Sequence, residues 1–372
     1  MLTAGASIST DSDEIAILAD GIETKEIGGH FKLKLKKNFS SRFQLNFGGE
    51  YFKLDYEDSF LTEDGFSFNS DYNDDLIVAF TEADIFFSNR FAMKLGLRGE
   101  HSKAIQAFNL APRLSLAYKS SENGQLSMAY GDFYQNPNTE FAKFNTLLDT
   151  EKTSHYILNY QYTGDGKTFR AEAYFKDYDR LVKYDTERPR FDSNYTNLGN
   201  GYATGLDVFW RDNKNIKNLD YWISYSYLDT ERNYLNFREK ATPNFAPKHN
   251  FSVVTKYWVN DWRSQVGFSY THASGRPYDN PNTNEFLVGK TKTYNNLSLN
   301  WAYLISQQKI LYFSINNALG FNNVNGYQYA DAPNSNGVFD RRTIRPSADT
   351  FFFVGFFWTI STDKSSNQLD NL

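Results

Sequence analysis

The sequence predicts an all-β protein, an antiparallel transmembrane β-barrel of the outer-membrane type with about 15 or 16 strands present. Three observations predict it. The chain closes on a strand too aromatic for water, apolar and polar residues alternate with period two along most of its length, and short turns alternate with long polar connections. The closing strand, Thr350 to Ser361, reads Thr-Phe-Phe-Phe-Val-Gly-Phe-Phe-Trp-Thr-Ile-Ser. One parity carries Phe352, Val354, Phe356, Trp358 and Ile360, an unbroken row that needs lipid or a second sheet beside it. No amphipathic helix elsewhere offers such cover, so the row reads as the strand that assembles the barrel in the membrane.

Composition agrees. Of 372 residues, 17% are aromatic, with Phe 33 and Tyr 26 against Met 3 and Cys 0. That balance suits β-formers on strands and aromatic girdles at two membrane interfaces. A mean hydropathy of −0.60 and the lack of any run of about 18 apolar residues exclude helical spans. A barrel escapes that test because only alternate residues face lipid. The net charge of −5, without clustered basic residues, excludes a nucleic-acid partner. Met1 is followed by Leu-Thr-Ala-Gly-Ala rather than a basic and then apolar leader, so the signal peptide of an outer-membrane protein is expected to have been removed or to lie in a longer chain.

Taken in order, a partial strand is expected at Leu2 to Thr10. From Phe31 the alternation is plain: Phe31, Leu33 and Leu35 on one side, Lys32, Lys34 and Lys36 on the other. A tight turn near Ser40 returns the chain through Phe43, Leu45 and Phe47. The same hairpin recurs at Ala79 to Arg98, Leu114 to Tyr130, Tyr156 to Lys176, Leu206 to Tyr227, Phe251 to Tyr270 and Leu299 to Ile315. Between hairpins lie polar connections at roughly residues 56–74, 134–154, 184–198, 229–247, 273–292 and 319–349, with a shorter one near 103–110. Short turns belong to the periplasmic side and long loops to the outer side, so this rhythm assigns orientation, with the last strand descending. Residues 1–361 are read as barrel and residues 362–372, rich in Ser, Asn and Asp, as a flexible tail.

Several segments together resemble the C-terminal barrel of TonB-dependent outer-membrane receptors, particularly the Bacteroidetes type. They are Ala-Pro-Arg-Leu-Ser-Leu-Ala-Tyr from Ala111, Tyr-Gly-Asp-Phe-Tyr-Gln-Asn-Pro-Asn from Tyr130, Thr-Glu-Lys-Thr-Ser-His-Tyr from Thr150 and Asn-Leu-Gly-Asn-Gly-Tyr-Ala-Thr-Gly-Leu-Asp-Val from Asn197. Phe-Ala-Pro-Lys-His-Asn-Phe from Phe245, Ser-Gly-Arg-Pro-Tyr from Ser274 and Ile-Asn-Asn-Ala-Leu-Gly from Ile315 complete the series. The resemblance implies a 22-stranded barrel, a lumen closed by an N-terminal plug, coupling to the TonB complex through that plug, and often a surface lipoprotein partner. It further implies import of a siderophore, glycan, peptide or similar nutrient across the outer membrane of a Gram-negative bacterium. Plug and coupling segment have no counterpart in these residues, so the chain reads as part of such a barrel. Two alternatives are a passive porin-like channel of about 16 strands and a surface adhesin or assembly barrel.

Neither catalysis nor a cofactor is expected. The five histidines sit in separate segments without metal-ligand spacing, and no strained Gly-x-Ser-x-Gly elbow occurs. Lys32, Lys34, Lys36, Lys94, Arg98, Arg170 and Lys176 fall on the polar parity and are expected to line the lumen, as a solvated wall or as an anion-biasing one. In the outer loops, Arg276 and Tyr278 join a donor fork to an aromatic face, and Asp340, Arg341 and Arg342 add charge in the longest loop; these are the candidate ligand-binding residues. Asp331, Asn334, Asn336 and Asp340, spaced around Gly337, loosely resemble a calcium loop but lack its terminal bidentate Glu.

Overall fold

The computed structural model describes residues 1–17, 20–62, 65–362 and 369, and the expected tail lies almost wholly outside them. Four long strands come first: β1 (Leu2–Ile17), β2 (Asp20–Ser40), β3 (Phe43–Leu61) and β4 (Ser67–Phe86). β5 (Phe91–Ser102), β6 (Ala107–Lys119) and β7 (Gly124–Gln135) lead to a single helical turn, α1 (Thr139–Ala142). Then follow β8 (Glu151–Gly164), β9 (Lys167–Lys183), β10 (Thr196–Asp212), β11 (Leu219–Asn233), β12 (His249–Val259) and β13 (Ser264–Ala273). A two-residue pair, β14 (Pro277–Tyr278) and β15 (Gly289–Lys290), stands in a loop before β16 (Tyr294–Ser306) and β17 (Lys309–Asn316). A second loop hairpin, β18 (Gly326–Tyr329) and β19 (Arg341–Ile344), precedes the last strand, β20 (Phe351–Trp358).

Sixteen of these strands form one antiparallel sheet, each paired with its sequence neighbour and running from β1 through β13 to β16, β17 and β20. Neighbouring antiparallel strands are what tight turns enforce, and a membrane wall needs every backbone group paired within it. Among the described residues no pairing joins β1 to β20, which the self-closed channel of about 16 strands would require.

Burial identifies the faces. Phe31, Leu33 and Leu35 are exposed, whereas Lys32, Lys34 and Lys36 between them are half-buried. Apolar side chains facing out and charges facing in are the inverse of a water-soluble sheet. The closing strand follows suit: Phe352, Val354, Phe356, Trp358 and Ile360 are 56–86% exposed. An aromatic girdle borders the short-turn end, where the rings of Phe169 and Trp210 lie 6.4 Å apart and those of Trp301 and Tyr303 6.1 Å apart.

One expected connection proves to be strand, and one expected partial strand proves longer. β3 and β4 stay in register out to the pair Leu61 and Ser67, so only a short turn remains of the loop expected at 56–74. Likewise β1 reaches Ile17 and pairs along its whole length with β2, where the sequence reads only a partial strand to Thr10. The physical reason is an inversion of the faces. Beyond Tyr51 the outward parity of β3 turns polar, as Lys53, Asp55 and Glu57, opposite Asp75, Asn73 and Asp71 of β4. The inward parity turns largely apolar, as Phe52, Tyr56 and Phe60 opposite Leu76, Tyr72 and Phe68. These hairpins therefore leave the membrane as an amphipathic wall whose greasy side faces the outer mouth.

Candidate functional site

The outer mouth is built from loops that fold over the upper ends of the strands. The connection at 136–150 leans inward across its neighbours. Its Asn136 amide donates to Asp74 at 2.7 Å, a β4 carboxylate that also accepts from Ser102 Oγ and the Ala104 amide. Its Lys143 pairs with Asp58 of β3, both side chains being largely buried, and lies 5.0 Å from the Phe144 ring centre. Phe68 of β4 then meets Phe144 at 5.9 Å and Phe191 at 5.8 Å, covering part of the apolar inner wall. A small core of Phe141, Leu148 and Val182, with Tyr184, Tyr195 and Leu235 against it, ties this segment to the loops after β9 and β11. Leu148→Ala is expected to weaken that tie by about 2 kcal/mol, at the low end for a buried leucine because so small a cluster relaxes. Hydrogen exchange at the Leu235 amide, which donates to the Val182 carbonyl at 2.7 Å, should rise correspondingly; unchanged exchange would show that the core does not hold the loops.

The loops after β13 and β17 meet through the residues that the sequence singles out. Arg276 Nη2 donates to the Asn325 carbonyl at 2.6 Å. The Tyr278 ring lies 4.6 Å from that of Tyr327, which in turn carries the Arg341 guanidinium at 4.4 Å from its centre. Arg341 Nη1 also donates to Tyr278 Oη at 3.3 Å. Burial pushes the neighbouring Tyr329 phenol up from its ordinary value. Two further bonds knit the loops: Asn282 Nδ2 to the Phe339 carbonyl at 3.0 Å, and the Phe339 amide to Asn282 Oδ1 at 2.7 Å.

Three of the five candidates, Arg276, Tyr278 and Arg341, thus converge on one aromatic and cationic cluster. Asp340 instead accepts from Asn334 Nδ2 at 3.0 Å, and Arg342 is exposed on β19 opposite Gln328. The sequence reading missed Tyr327, Tyr329 and Asn325. Their signal was the alternating Gly-Tyr-Gln-Tyr from Gly326, a short strand inside a loop taken as irregular. In the segment from Asp331 to Asp340, Asn334 Oδ1 accepts the amides of Asn336 and Val338, and Gly337 has φ 75°. That is the bonding of an Asx turn, which together with the Asn334 bond to Asp340 already engages two of the four residues offered to calcium.

Below the mouth, all seven expected lumen residues lie on the inward parity, and most are paired with carboxylates. Glu50 receives Lys32 at 2.5 Å and Arg98 at 3.4 Å, while Arg98 also reaches Glu100 at 3.0 Å. Lys94 bridges Glu82 and Asp84, and Arg170 meets Glu172 at 2.6 Å. Lys176 lies over the Tyr174 ring. A wall so neutralised gives little bias toward anions. From β11 to β17 the inward face changes to Ser224, Ser226, Asn250, Ser252, Ser269, Asn296 and Ser298, a lining of hydroxyls and amides.

Comparison with known proteins accords with this geometry. No curated protein is similar enough to count as a match. Solved structures that share the fold include the ferric-catecholate import receptor Fiu of E. coli K12, at TM-score 0.65 and 12% identity over 91% of this chain and 55% of that one. The ferric yersiniabactin uptake receptor FyuA of Yersinia pestis matches at TM-score 0.70 and 11% identity, covering 95% of this chain and 57% of its own. The FrpB iron transporter of Neisseria meningitidis matches at 0.70 and 10%, covering 96% and 60%. The chain therefore spans between half and two thirds of the length of these neighbours. The family model of the TonB dependent receptor-like β-barrel matches residues 8–318. With that match over most of its length, and with the inverted faces of a membrane wall, the chain belongs to the TonB-dependent receptor β-barrel family of the Gram-negative outer membrane.

Proposed function

We propose that residues 1–361 form part of the barrel wall of a TonB-dependent receptor that captures a nutrient at its outer loops and admits it to a plugged, 22-stranded lumen. The observation that carries this reading is the joined pair of outer loops, where Arg276, Tyr278, Tyr327 and Arg341 offer guanidinium forks beside two phenol rings in tilted contact. Such a cluster suits a ligand with anionic or polar oxygens and a flat face. A ferric siderophore is the first class to test, since structural neighbours are named for ferric-catecholate and ferric yersiniabactin uptake. In this reading the chain does no chemistry of its own; binding and passage are its work, energised through the plug and the TonB complex. A surface lipoprotein is a further partner to seek in pull-downs of the intact receptor.

The test is titration of the intact receptor with a panel of ferric siderophores, beginning with ferric enterobactin. Arg276→Ala and Tyr278→Ala are each expected to weaken the bound member about tenfold, the size of one good polar or aromatic contact. Affinity unchanged in both variants would remove these residues from recognition, and a panel with no binder would remove the siderophore class.

A further inference from the structure

The last part of the wall differs from the rest in its charges. β12, β13, β16, β17 and β20 carry no Asp or Glu, and the two short turns among them, 260–263 and 307–308, carry only Asp261. Elsewhere at the short-turn end cations find carboxylates, Arg211 pairing with Asp220 and Lys214 with Asp165. Arg263 and Lys309 do not. Among the described residues neither forms an ion pair, although both stand at this end, one in the turn before β13 and one at the start of β17.

Strand register sets these two cations on either side of one strand end, that of β16. The Leu304 amide donates to the Arg263 carbonyl at 2.9 Å, and Lys309 lies opposite Ser306. Their backbones are therefore about two strand spacings apart, roughly 10 Å. Both side chains turn to the lipid face. Arg263 Nη2 donates to Tyr303 Oη at 3.1 Å, and Lys309 Nζ lies 4.8 Å from the Trp358 ring centre. Tyr303 and Trp358 share the outward parity of the exposed Trp301 and Phe356. Farther along the same face run Phe268, Leu299 and Phe313, all exposed. Cations among such rings mark the depth of the lipid headgroups, where a charge keeps polar company while its stem lies in the apolar layer.

We propose that Arg263 and Lys309 form a clasp for the phosphate of an anionic glycerophospholipid whose acyl chains lie along Phe268, Leu299 and Phe313. Charge selects the class. Asp261 is the one opposing charge in the two turns, so the pair keeps a net positive charge; Lys256 of β12 lies on the opposite face from the exposed Tyr257 and takes no part. The guanidinium spends one N–H on Tyr303 and has others left for phosphate oxygens, while the ammonium adds a point charge. A zwitterionic headgroup would bring its own cation to the clasp, and free phosphate would leave the apolar row to other lipids.

This site depends on the membrane wall and not on what the receptor imports. Native mass spectrometry of the intact protein, released from detergent containing equal amounts of dioleoyl phosphatidylglycerol and dioleoyl phosphatidylcholine, reads it directly. Retention of at least one phosphatidylglycerol is expected, at roughly tenfold over phosphatidylcholine, as two cations at a membrane surface would give. The double variant Arg263→Gln, Lys309→Gln should bring the two lipids to parity. Arg90→Gln, in the exposed turn between β4 and β5, should leave the preference in place and so separates this clasp from general surface charge. If the double variant does not assemble, each single Gln variant is expected to lose part of the preference and Lys309→Arg to keep it. Equal retention of both lipids by the unaltered protein overturns the proposal, as does a preference that survives loss of both cations or falls as far with Arg90→Gln. Displacement of the lipid by an excess of inorganic phosphate would also overturn it, by showing a site for the anion alone.

Discussion

Val354→Lys is expected to keep the protein from accumulating in the outer membrane. Val354 sits mid-strand in β20, paired with Phe313 of β17, and is 64% exposed on the outward parity between Phe352 and Phe356. Lipid is what meets that face, and an ammonium there loses its water without gaining a partner. On the lipid face of a barrel this costs about 2–4 kcal/mol near the midplane. A whole folded protein is commonly stable by only about 5–15 kcal/mol, so one charge consumes a large share of the margin. The inward neighbour supplies the control. Ser314 of β17 faces the polar lumen opposite Phe353, and Ser314→Lys should change stability by no more than about 0.5 kcal/mol. Immunoblots of outer-membrane fractions, with heat-modifiable mobility as the index of folding, read both. Equal levels of the two variants would mean that the faces have been assigned the wrong way round.

Glu50→Ala is expected to destabilise the assembled wall by about 2–3 kcal/mol. Glu50, on β3, is 8% exposed and lies between Lys32 of β2 and Arg98 of β5, so its carboxylate compensates one cation on the adjacent strand and one on the strand beyond β4. Removing one member of a buried pair leaves an uncompensated charge, at about 3–5 kcal/mol where burial is complete. Lys32 is 45% exposed and partly rehydrates, which lowers the figure. Arg98 retains Glu100 at 3.0 Å. Urea unfolding in detergent micelles measures the change, and a paired Lys32→Met, Glu50→Ala variant should recover part of it. A double variant as unstable as the sum of the singles would show that the pair is not coupled.

Much of the fold was legible because a membrane wall writes its rule at period two. The Phe-Lys alternation from Phe31 to Lys36 and the row from Phe352 to Ile360 each need only neighbouring residues to be read, and the strands they predict are present. Above the membrane the rule ran out. Glu57, Asp71 and Asn73 look like loop when counted by polarity, yet their backbones are paired, since in water a strand needs only one greasy face and here that face is the inner one. Reading it required knowing that Phe68 would meet Phe144, 76 positions later in the chain.

The site divides along the same line. Arg276, Tyr278 and Arg341 could be chosen from the sequence because Arg and Tyr in a loop carry a donor fork and a ring whatever surrounds them. That these three act together was not visible, because loop-to-loop pairing follows no period and depends on where strand register places each loop end. The sequence by itself determined strand number, the lipid-facing rows and the inward charges. Only the tertiary structure decided that most of those charges meet carboxylates on the same or nearby strands, and which loops share the mouth. It also decided that Arg263 and Lys309 flank the short-turn end of β16. The physical reason is range: side-chain alternation is fixed by the local backbone, whereas ion pairs, loop contacts and cavities are set by register between strands distant in sequence.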